Sequence, residues 1–202
     1  MKKSTLYQHN TYGSLSGGVY DGSLTLSELL KHGQNGIGTL DAANGETIIV
    51  DGVVYHALSD GTVRVAELTE LTPYSAVFEQ GDTFELTDLS QLTDKTKIYT
   101  VRADGHFKSV TVGNKPKQEK PYTQSYADIL ASQPQFQAEN IEGTLVGVFS
   151  PDGYEAIAGH GFHLHFISRD RTFGGHIVSY EAAEEVIFKL SAVNELVQTF
   201  AD

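Results

Sequence analysis

Three histidines carry the chemistry most visible in this sequence. The segment Gly161-Phe162-His163-Leu164-His165-Phe166-Ile167-Ser168 alternates apolar and imidazole side chains. On a strand, successive side chains point to opposite faces. Phe162, Leu164 and Phe166 therefore share a face suited to a core, and His163 and His165 share the other. Gly174-Gly175 then lets the chain turn back, and His176 opens the next stretch. Hairpin pairing would bring His176 toward the first two imidazoles. Three imidazoles on one divalent ion leave coordination positions open for water or substrate, as a catalytic zinc site requires. A His-X-His pattern also arises as the plain polar face of a strand, and spacing alone does not separate the two. His9, His32, His56, His106 and His160 lack comparable partners and read as surface or packing residues. His160 lies close enough in sequence to support the ligands from behind.

A carboxylate and a basic loop extend the candidate set. Glu46 directly follows Asn44-Gly45, a dipeptide that favours a tight hairpin turn. A carboxyl group fixed there could move a proton at a metal-bound substrate. A solvent-exposed glutamate beside a turn has the same spacing. Lys115, Lys117 and Lys120 stand out in an acidic chain; they suit the carboxylate of an anionic substrate, or equally a solvated loop. No glycine fingerprint for phosphates and no Gly-X-Ser-X-Gly elbow occurs.

Composition narrows the alternatives. The absence of cysteine excludes disulfides and thiolate ligands, so a metal must be held by His, Asp or Glu. A formal charge of −12, from 14 basic and 26 acidic residues, repels phosphate backbones and anionic membranes. Neither a nucleic acid nor a membrane is an expected partner. The start, Met1-Lys2-Lys3-Ser4-Thr5-Leu6, has no apolar run behind its lysines, so no secretory leader is expected and a cytoplasmic location is. No apolar stretch approaches the roughly 20 residues of a membrane span.

The elements that must position these groups read mainly as strands. Short β-rich runs occupy 47–50, 53–57 and 62–65, separated by Asp51-Gly52 and Asp60-Gly61. Runs 98–102 and 106–112 flank Asp104-Gly105 as a further hairpin. Runs 144–149, 154–158, 162–168 and 176–180 form a second block. Helices are few. Thr25-Leu26-Ser27-Glu28 matches a capping box stopped by Gly33, and 126–132 is a second candidate. Residues 186–190 alternate like a strand, while 194–200 could form a helical turn. The irregular stretch 113–122 either links two subdomains or is a functional loop of one core. The expected class is α+β: strand-rich, with mixed and antiparallel sheets in two closely packed subdomains and few short helices. We expect one unit over residues 1–202, with approximate subdomains 1–115 and 116–202.

At these residues the chain resembles the acetolactate decarboxylase family. The likeness runs from Tyr7-Gln8-His9 through Leu29-Leu30-Lys31-His32-Gly33, Gly36-Ile37-Gly38-Thr39-Leu40 and Asn44-Gly45-Glu46. It continues at Pro116-Lys117-Gln118 and Gly143-Thr144-Leu145-Val146-Gly147. It is most specific at Gly161 to Phe166 and at Phe173-Gly174-Gly175-His176. The resemblance implies conversion of 2-acetolactate to acetoin with loss of carbon dioxide. Zinc on His163, His165 and His176 would chelate the substrate oxygens and stabilise an enediolate, with Glu46 as the catalytic carboxyl group. Thr39, Lys115, Lys117 and Arg102 are the expected contacts to a small anionic 2-hydroxy-3-oxo acid. Two β-rich subdomains with the site between them, in a homodimer, are also implied. The family pattern has an arginine where this chain has Gly113, and a longer C-terminal tail bearing a glutamate, whereas this chain ends at Asp202. The alternatives are therefore a homologue acting on another 2-hydroxy-3-oxo acid, or one that binds metal or a small acid without turnover.

Overall fold

Alternation in the strands, and glycine or Asx turns between them, build a β-rich architecture that wraps around the histidine segment. A computed structural model describes residues 2–201; the outermost positions of the expected unit, Met1 and Asp202, lie outside the described residues. The chain runs β1 (Ser4–His9), α1 (Tyr12–Ser16), β2 (Leu24–Thr25), α2 (Leu26–Leu29), β3 (Asn35–Leu40), β4 (Asn44–Val50) and β5 (Val53–Ala57). It continues through β6 (Val63–Val65), β7 (Leu71–Thr72), β8 (Tyr74–Glu79), β9 (Phe84–Leu86) and β10 (Tyr99–Gly113). Last come α3 (Tyr126–Ser132), β11 (Gln135–Ser150), α4 (Glu155–Ala158), β12 (Gly161–Ser168), β13 (Gly174–Ala182) and β14 (Ile187–Thr199). No helix among the described residues is long and apolar enough to cross a membrane.

One sheet path joins nearly all strands, in the order β11, β12, β13, β10, β14, β1, β8, β3, β4, β5, β6. Strand β10 also pairs with β11, so β10 to β13 close on themselves. Inside this closure lie Phe107, Leu145, Leu164 and Phe166, all buried. The remaining strands form a second half that packs face to face on the first. Leu6, Ile37, Ile48 and Phe78 of the second half meet Val146, Val148 and Ile167 of the first in a shared core. Strand β14 joins the halves, running antiparallel to β10 and parallel to β1.

The α+β, strand-rich class agrees with the sequence, as do the few short helices. Helix α2 starts where Thr25 accepts the amide N–H of Glu28, and α3 where Ser125 accepts that of Asp128. Four local expectations are corrected. Residues 154–158 form α4 instead of a strand. Asp104-Gly105 is no hairpin turn: β10 passes straight through it, and Gly105 at φ 156° stays paired with Gly143. Residues 194–200 make no helical turn, because pairing with β1 keeps β14 extended to Thr199. The β3–β4 connection turns at Asp41 to Ala43, with Ala42 and Ala43 at φ 63° and 51°, so Asn44 already belongs to β4. Strand β10 pairs entirely with strands that follow it.

Candidate metal centre

Strand alternation places the three histidines as a set. Phe166 is buried inside the closed β10–β13 unit, while His165 and Ile167 face the second half. Antiparallel pairing of β12 with β13 sets His165 directly opposite His176. His163 lies two residues along the same face. The ring centroids are 5.3 Å (His163–His165), 5.0 Å (His163–His176) and 5.4 Å (His165–His176) apart. One nitrogen from each ring lies within 4.8 Å of the other two.

Backbone carbonyls fix two of the tautomers. His163 Nδ1 donates to the Ala158 carbonyl at 2.8 Å, and His165 Nδ1 donates to the Thr47 carbonyl at 2.8 Å. A carbonyl only accepts, so each Nδ1 carries the hydrogen and each Nε2 keeps its lone pair. The Nε2 of His165 is buried and has no hydrogen-bond partner among the described residues. Burial pushes all three imidazoles toward the neutral form, His163 to about 4. Neutral rings whose lone pairs converge at a buried point fit a divalent ion of the zinc type.

The rest of the site comes from the second half of the sheet and from the loop after β10. Glu46 is 2% exposed on β4, and its Oε2 lies 3.6 Å from His165 Nε2. Lys115, 3% exposed, pairs through Nζ with Glu46 Oε1. Burial raises the Glu46 carboxyl pKa, and the Lys115 charge opposes that rise. Lys115 is held there by its own backbone, whose carbonyl accepts the Gly45 N–H at 2.9 Å. Gly45 sits at φ 59°, and a Cβ there would meet the Ala57 carbonyl oxygen at 2.2 Å, so the turn before Glu46 needs glycine. Thr39 Oγ1 donates to the Gly45 carbonyl at 2.7 Å, and His56 Nε2 donates to that of Asn44 at 2.9 Å. Asn44 and Gly45, which lead into Glu46 on β4, are thus held from two directions.

These groups line a cavity of about 30 Å³ that includes Thr39, Glu46, Lys115 and the three histidines. Of the residues singled out in the sequence, these six come together. Arg102 and Lys117 do not. Arg102 lies in a separate open groove, with its guanidinium on Asp51 at 2.6 Å and on Asp104 at 2.9 Å. Lys117 is exposed and does not line the cavity. Lys120 is on the surface, paired with Asp21 at 2.8 Å. His160 is also exposed and makes no contact behind the ligands; its nearest carboxylate is Asp152, at 3.8 Å. Sequence reasoning missed the aromatic and aliphatic part of the wall: Tyr12 and Leu15 from α1, Tyr74 from β8, and Tyr126 and Leu130 from α3. Tyr12 stands edge-on to His163 at 5.4 Å. These residues are scattered along the chain and share no spacing.

Comparison with known proteins gives one consistent result. The alpha-acetolactate decarboxylase family profile matches residues 6–202. The alpha-acetolactate decarboxylase of Streptococcus thermophilus is 38% identical, over 96% of this chain and 87% of its own length. That of Methanosarcina mazei is 40% identical over 87% of this chain and 65% of its own. The crystal structure of alpha-acetolactate decarboxylase from Bacillus subtilis strain 168 superposes with a TM-score of 0.88 at 33% identity, covering 98% of this chain and 89% of that one. A Staphylococcus aureus protein of unknown function, described as similar to alpha-acetolactate decarboxylase, gives 0.90 at 32% identity, covering 97% and 89%.

Proposed function

Since the chain belongs to the alpha-acetolactate decarboxylase family, we propose that it converts 2-acetolactate to acetoin and carbon dioxide, with zinc held by His163, His165 and His176. The observation that carries the proposal is the convergence of three neutral imidazoles on a buried point beside Glu46. When bound, the ion supplies Lewis-acid stabilisation of the negative charge that develops on substrate oxygens as the carboxylate leaves.

The chain's own groups supply the rest. The reaction breaks one carbon–carbon bond, releases carbon dioxide and takes up one proton at the carbon left behind. Glu46, whose carboxyl pKa burial raises while Lys115 opposes the rise, is the chain's group for handing that proton on at a carboxyl oxygen. Lys115 offers the ammonium that draws the substrate carboxylate into an acidic protein, since a local charge dominates at short range. Thr39 has committed its hydroxyl hydrogen to Gly45, which leaves its lone pairs to accept from a substrate hydroxyl. Burial of the cavity strengthens each of these contacts. A homodimer belongs to the proposal through the family resemblance alone.

The test uses purified protein, stripped of metal and reloaded with zinc, mixed with 2-acetolactate and assayed for acetoin. Turnover is expected only after reloading, and His165→Ala should abolish it. Acetoin formation no faster than the spontaneous rate would reject the proposal. Turnover of a different 2-hydroxy-3-oxo acid in its place would reassign the substrate.

A further inference from the structure

One residue of the cavity wall carries a buried hydroxyl with no hydrogen-bond partner among the described residues. Tyr74 is 1% exposed, its side chain lines the cavity with Glu46 and Lys115, and its hydroxyl has no hydrogen-bond partner among the described residues. A buried donor without an acceptor is a cost that folded proteins rarely carry. The position is rigid. Tyr74 pairs with Thr39 across β8 and β3, and the preceding Pro73 carbonyl accepts from Asn10 Nδ2 at 2.7 Å. The sheet therefore fixes the point from which the buried side chain projects.

We propose that Tyr74 determines specificity by donating this hydroxyl to the carboxylate of the bound 2-hydroxy-3-oxo acid. The inference rests on the decarboxylase reading and adds a residue to it. A carboxylate accepts at about four lone-pair sites. Lys115 alone cannot satisfy them, because its ammonium is shared with Glu46. A second donor in the same cavity supplies what the cation does not. The carboxylate is still present as the carbon–carbon bond begins to break, so the contact holds substrate and transition state about equally. Its loss therefore raises KM and leaves kcat nearly alone.

Tyr20 provides an internal control. It belongs to the same aromatic cluster, is 1% exposed, and also has an unpaired hydroxyl, but it does not line the cavity. The experiment compares zinc-loaded wild type, Tyr74→Phe and Tyr20→Phe. For Tyr74→Phe, KM for 2-acetolactate should rise about tenfold, the size of one hydrogen bond to a charged acceptor, with kcat within about twofold. In calorimetric titrations, 2-hydroxy-2-methylpropanoate should bind about tenfold more weakly, while acetoin, which lacks the carboxylate, should bind unchanged. The melting temperature should be unchanged or higher. Tyr20→Phe should match wild type throughout. Equal weakening for acid and acetoin, an unchanged KM, or the same losses in Tyr20→Phe would overturn the inference. If wild type forms no acetoin, the decarboxylase reading falls, and the acid-against-acetoin titration still decides the role of Tyr74.

Discussion

Replacing Lys115 with methionine tests the electrostatics of the site most directly. Methionine keeps the apolar stem and removes the charge, so Glu46 remains 2% exposed with its counter-ion gone. Breaking a buried ion pair by removing one partner costs about 3–5 kcal/mol. For a domain of this size each kcal/mol lowers Tm by about 2–4 °C, so a fall of about 10 °C is expected in zinc-free protein. The pair Lys115→Met with Glu46→Gln should recover much of that loss, because no uncompensated charge is then buried. The sign with pH also follows. Burial raises the folded pKa of Glu46, and removing Lys115 removes the pull that opposes the rise. The folded variant then favours the protonated acid, so its deficit relative to wild type grows as pH rises. Urea denaturation of the four proteins at two pH values measures all of this. A Lys115→Met cost within about 0.5 kcal/mol of wild type, as for a surface substitution, would refute the reasoning. So would two single costs that simply add in the double variant.

Two further outcomes are expected. Burial lowers the pKa of His56 to about 4 in the folded protein, against an ordinary 6.5. Its contribution is present above 6.5 and is lost as pH falls toward 4, about 3 kcal/mol in all. His56→Gln keeps a donor for the Asn44 carbonyl and should lose that much less stability over this interval; equal acid-side losses by chemical denaturation would contradict it. Arg102→Ala and Lys117→Ala should each leave kcat/KM for 2-acetolactate within about twofold, since neither side chain lines the cavity. A tenfold drop in either steady-state assay would restore that residue to the site.

The histidine set was legible because strand alternation and a diglycine turn act over a few residues. The period of two decides which face His163 and His165 share, and the β12–β13 register brings His176 opposite His165. Glu46 was legible as a position but not as a buried group, because burial depends on β5 and on the loop after β10 packing over it. Lys115 and Lys117 looked alike in sequence; only the Gly45–Lys115 backbone bond separates the buried one from the exposed one. Tyr12, Tyr74 and Tyr126 meet through tertiary packing across more than a hundred residues, which no local pattern encodes. The misread 154–158 run has strand-like composition, yet it forms α4, whose Ala158 carbonyl orients His163. Asp104-Gly105 failed as a turn because a glycine in extended backbone is as acceptable as one in a bend.

Strand β14 has a mechanical consequence for the ligand site. It pairs with β10 through Ile187 to Ala192 and with β1 from Val193 to Thr199, so one unbroken strand runs from one half into the other. Swinging the halves apart would bend that strand between Ala192 and Val193, where the two pairings meet. A cavity of about 30 Å³ is too tight for a five-carbon acid as it stands. The part of its wall that no sheet pairing ties down is the short-helix side, where α1 and α3 contribute Leu15, Tyr126 and Leu130.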